Sequence, residues 1–364
     1  MRRSVKTVFV YLLAVCLLCV CSPQAAVAGG YQSIYSADNP VPEISKNVRP
    51  SVVQVIGIQE MRMRRTGERV NTDASFGSGV YIDARGYIVT NYHVIADAQM
   101  VDIKLLDGTR MPVSEFYFDQ DTDIALLKVD EPLPGVPVPM GDSNAIEIGD
   151  LTIVIGNPSM GDSVFAGTVT VGIISALDRT GINDGNFRRT VQLIQTDAAI
   201  NSGNSGGAML NRNGELIGIP TLKIMSDWNE TYEGLGFAIP INTVKPIVDE
   251  LIEFGTVRRP RMGVTMYGIS GPDTPMYNRL PAGIYIEAVD HDGPAMRAGV
   301  HAGDVVTHID DVRVRNEIAM STELEKHAAG DTVVLTVCRY EILYGMMTGA
   351  AEILDIPVEL MILD

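Results

Sequence analysis

A chain of 364 residues has room for two or three domains, and 46% hydrophobic residues with 35 glycines describe a globular, turn-rich fold with more sheet than helix. That composition excludes a disordered chain and a multi-span membrane protein. A formal charge of −17 excludes nucleic acid and anionic lipid surfaces as natural partners.

Residues 1–28 read as an export signal. Arg2, Arg3 and Lys6 precede an apolar run from Thr7 to Cys21, and Ala26-Val27-Ala28 forms a small-x-small cleavage site before Gly29. The alternative is an uncleaved N-terminal membrane anchor, against which a helix over that run reaches only about 22 Å of the roughly 30 Å of hydrocarbon. Cys16, Cys19 and Cys21 lie inside the run; their spacing mimics a metal motif, and Leu18-Cys19-Val20 before Cys21 is a poor lipidation box. Beyond the signal only Cys338 remains, so no intrachain disulfide is expected there.

Residues 29–47 are polar, with Tyr31, Ile34 and Tyr35 as apolar points. They form a linker or an arm that packs on a neighbouring subunit. From residue 48 to 257 short apolar runs alternate with turn residues. Strands are predicted at Val52–Ile58, Gly79–Ile82, Tyr87–Asn91, Val101–Leu105, Ile124–Val129, Leu151–Ile155, Val164–Ala176, Leu216–Thr221 and Leu235–Ile239. Asp107-Gly108 and Asn213-Gly214 supply hairpin turns. Many short strands and little helix indicate an all-β barrel or sandwich. Gln59–Ser75, with Arg62, Arg64, Arg65 and Arg69, reads as a solvated loop or as a surface for acidic partners.

One helix follows, with Asn242 as its cap, Val244, Ile247, Val248, Leu251 and Ile252 on one face, and Gly255 at its end. Arg258-Arg259-Pro260 reads as a linker. Residues 261–364 suffice for one small α+β domain, with strands at Gly283–Val289, Asp304–Ile309 and Thr332–Arg339, helices near Gly293–Ala298 and Asn316–Ala328, and a closing hairpin over 340–364.

The chemistry centres on Thr196-Asp-Ala-Ala-Ile-Asn-Ser-Gly-Asn-Ser-Gly-Gly207. A serine hydroxyl needs a base to become a nucleophile, and the carbonyl it attacks needs N–H donors for its developing charge. Ser205 sits among glycines that permit such a loop, with the N–H groups of Gly203 and Ser205 as donors around Asn204. Between the signal and the Arg258 linker the only histidine is His93, expected at a strand end. Asp123 heads the apolar run Ile124–Val129, a place where a half-solvated carboxylate is tolerable if it accepts an imidazole N–H. A calcium loop over Asp119, Asp121, Asp123 and Asp130 is rejected because Ile124 stands where glycine is required. The order His93, Asp123, Ser205 is that of the chymotrypsin-type triad.

On these residues, and on Arg49-Pro-Ser-Val-Val53, Thr90-Asn-Tyr-His-Val94, Gly141-Asp-Ser-Asn144, Ile155-Gly-Asn-Pro158 and Leu235-Gly-Phe-Ala-Ile-Pro240, the chain resembles the HtrA/Deg family of envelope serine proteases. Gly293-Pro-Ala-Met-Arg-Ala-Gly-Val300 and Ala302-Gly-Asp-Val-Val306 are similar to that family's PDZ signature. The resemblance implies a chymotrypsin-like double β-barrel (48–257) and one PDZ domain (261–364). It implies a serine endopeptidase independent of ATP, cofactor and metal, acting in the periplasm or cell envelope on unfolded or C-terminally exposed polypeptides, and assembled as a homotrimer through its arm. His93, Asp123 and Ser205 would be the triad, and Gly203, Asn204 and Ser205 the oxyanion loop. Ala199 and Ile200, which carry no charge, would line a pocket for small or branched aliphatic residues or simply belong to the core. Arg179, in Ser175-Ala-Leu-Asp-Arg179, would report peptide engagement or be a plain surface arginine. Arg261, Met262, Gly263 and Val264 would form the PDZ carboxylate loop. The chain departs from the family pattern at Pro220-Thr-Leu-Lys223 and the loop Ile224–Glu233 with Trp228. A non-catalytic PDZ binding or chaperone protein is the second reading.

Overall fold

The computed structural model describes residues 39–62, 68–157, 166–179, 191–223, 234–270, 280–343 and 346–362. The signal segment, Tyr31, Ile34, Tyr35, Arg64, Arg65 and Trp228 lie outside them. Among the described residues no helix is long and apolar enough to cross a membrane. Met1–Glu43 and Ile44–Asp364 form separate compact units. Helix α1 (Val41–Val48) starts in the first, where Asn39 accepts the Val41 N–H at 3.0 Å.

The first half of the second unit is built from β1 (Val52–Arg62), β2 (Arg69–Asp83), β3 (Tyr87–Thr90), β4 (Met100–Lys104), β5 (Arg110–Pro112), β6 (Glu115–Asp119) and β7 (Ile124–Lys128). They pair in the order β5-β4-β1-β2-β3-β7-β6. This sheet wraps a core of Val53, Val55, Ile88, Ile103, Ala125 and Leu127. The second half is a closed barrel of β8 (Leu151–Gly156), β9 (Thr168–Arg179), β10 (Leu193–Thr196), β11 (Ala208–Leu210), β12 (Leu216–Lys223) and β13 (Gly236–Pro240). Val154, Ile174, Ile194, Met209, Ile217 and Ala238 fill it. Each such buried aliphatic contributes roughly 1.5–3 kcal/mol. The expected all-β architecture is present in both halves.

Several local expectations change. The segment around Gln59–Ser75 is a strand ribbon, with Gln59 paired to Thr72 and Arg62 to Arg69. Its residues are mostly exposed on both faces, so no hydrophobic alternation betrays it. Arg69 is bound to Glu60 at 2.9 Å. Helix α2 (Tyr92–Ile95), a single turn, carries His93 just after β3. Helix α3 (Ile241–Phe254) begins one residue before Asn242, with Pro240 at its N-cap. Asn242 instead binds Asp142 through Nδ2 at 2.7 Å. Its C-terminus is as expected, with Gly255 left-handed at φ 74° and its N–H on the Leu251 carbonyl.

The last part holds β14 (Pro260–Arg261), β15 (Val264–Ile269), β16 (Gly283–Val289), α4 (Pro294–Ala298), β17 (Val305–Ile309), β18 (Val312–Arg313), α5 (Glu317–Leu324), β19 (Thr332–Leu343), β20 (Met346–Glu359) and β21 (Met361–Ile362). Its main sheet runs β15-β16-β17-β19-β20, which leaves β15 on an edge. Asn316 caps α5 by accepting the Ala319 N–H at 2.8 Å. Arg258-Arg259-Pro260 is more than a linker. The Arg259 side chain is only 17% exposed, because its two terminal nitrogens grip the buried Asp119 carboxylate at 2.5 and 2.8 Å.

Candidate active site

The β3–α2 junction and the start of β7 bring two predicted residues together. Asp123 is fully buried, and such a charge is tolerable only when its oxygens are bonded. It accepts the His93 Nδ1 at 2.8 Å, the His93 backbone N–H at 2.9 Å and the Thr221 hydroxyl at 2.6 Å. With Nδ1–H donated to the carboxylate, Nε2 is the basic nitrogen of the ring. Asp123 itself is left-handed at φ 60°. Its carbonyl receives the Tyr92 N–H at 3.1 Å and the Asn91 Nδ2 at 3.0 Å, which hold that uncommon conformation.

The nucleophile loop connects to the same pair through Thr221. The Ser205 Oγ lies 3.5 Å from the Thr221 carbonyl, while the Thr221 hydroxyl is on Asp123. Ser78, on β2, pins the loop from below. Its hydroxyl donates to the Gly203 carbonyl at 2.5 Å, its N–H donates to the Ser205 carbonyl at 2.8 Å, and its oxygen accepts the Asn157 N–H at 2.7 Å. Gly203 and Gly206 are left-handed at φ 98° and 81°. Among the described residues neither the Gly203 nor the Ser205 N–H is bound to a backbone carbonyl. Asn204 differs from both. Its N–H is spent on the Asn201 carbonyl at 2.9 Å, and its side chain is buried under the loop, with Nδ2 3.3 Å from the Ala199 carbonyl.

Ala199 is exposed beside this loop, whereas Ile200 is 3% exposed and packs with the barrel core. Arg179 ends β9, exposed, with its Nε on the Gln195 carboxamide at 2.9 Å. Arg261 binds Asp121 at 2.7 Å. Met262 is buried, and its carbonyl accepts the Ala295 N–H. Gly263 is left-handed at φ 75°, and Val264 opens β15. No group of side chains among the described residues could hold a metal ion.

Sequence reasoning missed Thr221 and Ser78. A hydroxyl residue in a strand carries no signal of its own, although Thr221 lies in the very segment that breaks the family pattern. Thr221→Val leaves one buried carboxylate oxygen a donor short, a loss of about 1–3 kcal/mol. The expected result is a fall in kcat of about tenfold with KM unchanged, read by steady-state peptide hydrolysis.

Residues 77–219 match the family of trypsin-like peptidase domains, and residues 260–351 match the PDZ domain family. The periplasmic serine endoprotease DegP of Escherichia coli (strain K12) is 38% identical over 268 residues, which are 73% of this chain and 54% of that protein. The serine protease Do-like HtrA of Lactococcus lactis subsp. lactis is 36% identical over 321 residues, covering 81% of this chain and 78% of its own length. Among solved structures, the HtrA-type protease AlgW with a decapeptide superposes at a TM-score of 0.66 and 29% identity, over 89% of this chain and 98% of that one.

Proposed function

Because this chain belongs to the HtrA family of trypsin-like serine proteases with a PDZ domain, we propose that it is a serine endopeptidase using Ser205, His93 and Asp123. The observation that carries the reading is the buried Asp123 carboxylate, bonded to His93 and to a threonine that also touches the nucleophile loop. Asp123 fixes the tautomer of His93, whose Nε2 takes the Ser205 proton as Oγ attacks a peptide carbonyl. The charge that forms on that carbonyl oxygen is received by the N–H groups of Gly203 and Ser205. His93 then returns its proton to the leaving amine, and water releases the acyl group from Ser205 by the same route.

The substrates of this reading are misfolded or regulatory proteins of the cell envelope, cut without ATP. The export signal supports that compartment, as does the periplasmic name of the Escherichia coli relative. Residues 261–364 form the PDZ domain and bind C-terminal peptides through Arg261, Met262, Gly263 and Val264. Ala199 and Ile200 shape the pocket for the residue before the cut, and Arg179 relays peptide engagement. The arm at 29–47 assembles a trimer, and residues 1–28 direct export or anchor the chain.

A fluorophosphonate probe, followed by peptide mapping, tests the reading. Labelling at Ser205 together with casein digestion in the absence of ATP is the expected result. A folded protein that binds C-terminal peptides but neither reacts nor cuts would instead be the non-catalytic binding protein.

A further inference from the structure

A cavity of about 510 Å³ lies between the β15–α5 side of the last domain and the turn that precedes Asp123. Its floor is apolar, from Met262, Val264, Met266, Leu324 and Ile362. Strand β15 is bonded only to β16 within its sheet, so its outer edge is open to an added extended strand. The walls carry the carboxylates of Asp119, Asp121, Asp290 and Glu325 against the guanidiniums of Arg259 and Arg261. Those two cations are already matched, Arg259 to Asp119 and Arg261 to Asp121. The carboxylate of Glu325 reaches only to 4.0 Å from the Arg259 Nε. Burial raises the Glu325 pKa above the ordinary carboxylate range; Arg259 pulls it back, and the charges of Asp119 and Asp121 push it up again.

An incoming C-terminus adds its own negative charge to a site that already holds two carboxylates more than guanidiniums. A segment that brings only that carboxylate meets net repulsion, whereas one that also carries an ammonium or guanidinium restores the balance. We infer that this cavity selects polypeptide C-termini that end in an apolar residue and carry a lysine or arginine within the preceding three positions. The apolar side chain fills the methionine- and leucine-lined floor, and the basic one reaches the Asp290 and Glu325 carboxylates. This selectivity rests on the PDZ reading proposed above and assigns its ligand class.

The test uses full-length protein with Ser205→Ala, so that probes are not cut, and fluorescein-labelled decapeptides ending in leucine. The peptides differ only at the third residue from the end, which is lysine, alanine or glutamate; a fourth is the lysine peptide with a C-terminal amide. By fluorescence anisotropy the lysine peptide binds about tenfold tighter than the glutamate peptide, and salt narrows the gap. The pair Asp290→Asn and Glu325→Gln brings that ratio close to one and leaves the alanine peptide bound as before, which also shows that the variant is folded. Equal affinity for lysine and glutamate peptides, with loss on amidation, overturns the selectivity while the carboxylate-binding groove stands. Absence of binding by every peptide, or indifference to amidation, overturns both.

Discussion

Asp123→Asn is expected to lower kcat by about four orders of magnitude while the protein stays folded, as the same swap does in the trypsin-type template. All three groups around the carboxylate donate to it: the His93 backbone N–H, the His93 Nδ1 and the Thr221 hydroxyl. An asparagine must turn its NH2 toward one of them. Facing the backbone N–H it sets donor against donor. Facing the side on which Oδ2 now meets Nδ1 and Thr221, it makes Nδ1 the acceptor and moves the ring proton to Nε2, while the threonine hydroxyl rotates to accept. Ser205 then has no base. Adding Ser205→Ala to Asp123→Asn should cost far less than the product of the single losses, since residues that act as a unit are not additive. Steady-state hydrolysis by the single and double variants, with thermal unfolding as the control for folding, reads both statements. A loss for Asp123→Asn of only a fewfold would remove Asp123 from its assigned role.

Gly206→Ala is expected to be the most damaging small substitution near the nucleophile. The position is left-handed at φ 81°, and an added Cβ would stand 2.2 Å from the Ser78 carbonyl oxygen and 2.4 Å from the Thr90 hydroxyl. Backbone strain of about 1–2 kcal/mol and overpacking of about 1–3 kcal/mol combine there. Together they approach the lower end of a domain's entire stability. Relief requires the loop to move away from Ser78, and a displacement of about 1 Å at a reacting atom costs on the order of a hundredfold in rate. Gly108→Ala is the matched control, because φ there is 90° but no atom lies within 4 Å of the added Cβ. Thermal denaturation should show a drop of roughly 4–20 °C for Gly206→Ala and only a few degrees for Gly108→Ala. Similar drops for the two variants would mean that the contact with Ser78 contributes nothing beyond backbone strain.

What was readable in the chain followed from chemistry that demands a residue type. His93, Asp123 and Ser205 stand out because few side chains do those jobs and because their order is diagnostic. The helix over Ile241–Phe254 and the strand Gly283–Val289 are legible from periodicity and from Gly255. Strands β10 and β11 are not, since four- and three-residue segments give no alternation to count. Glu115–Asp119 fails for a similar reason, being five residues long with an acid at each end. Thr221 and Ser78 are invisible for another cause. Their hydroxyls act across 98 and 125 residues of chain, so only the folded topology gives them partners. Arg259 looked like part of a linker because the carboxylate that buries it lies 140 residues upstream.

Those long spans also set a schedule. The imidazole and its carboxylate can meet once the first sheet closes, but the threonine that completes their shell arrives with β12, late in the chain. The serine loop is in turn anchored on a strand made long before it. Contacts of such separation form late, since loop closure must precede them. A half-finished chain therefore remains unarmed, and cutting power arrives only with completed topology, which spares nascent copies from one another.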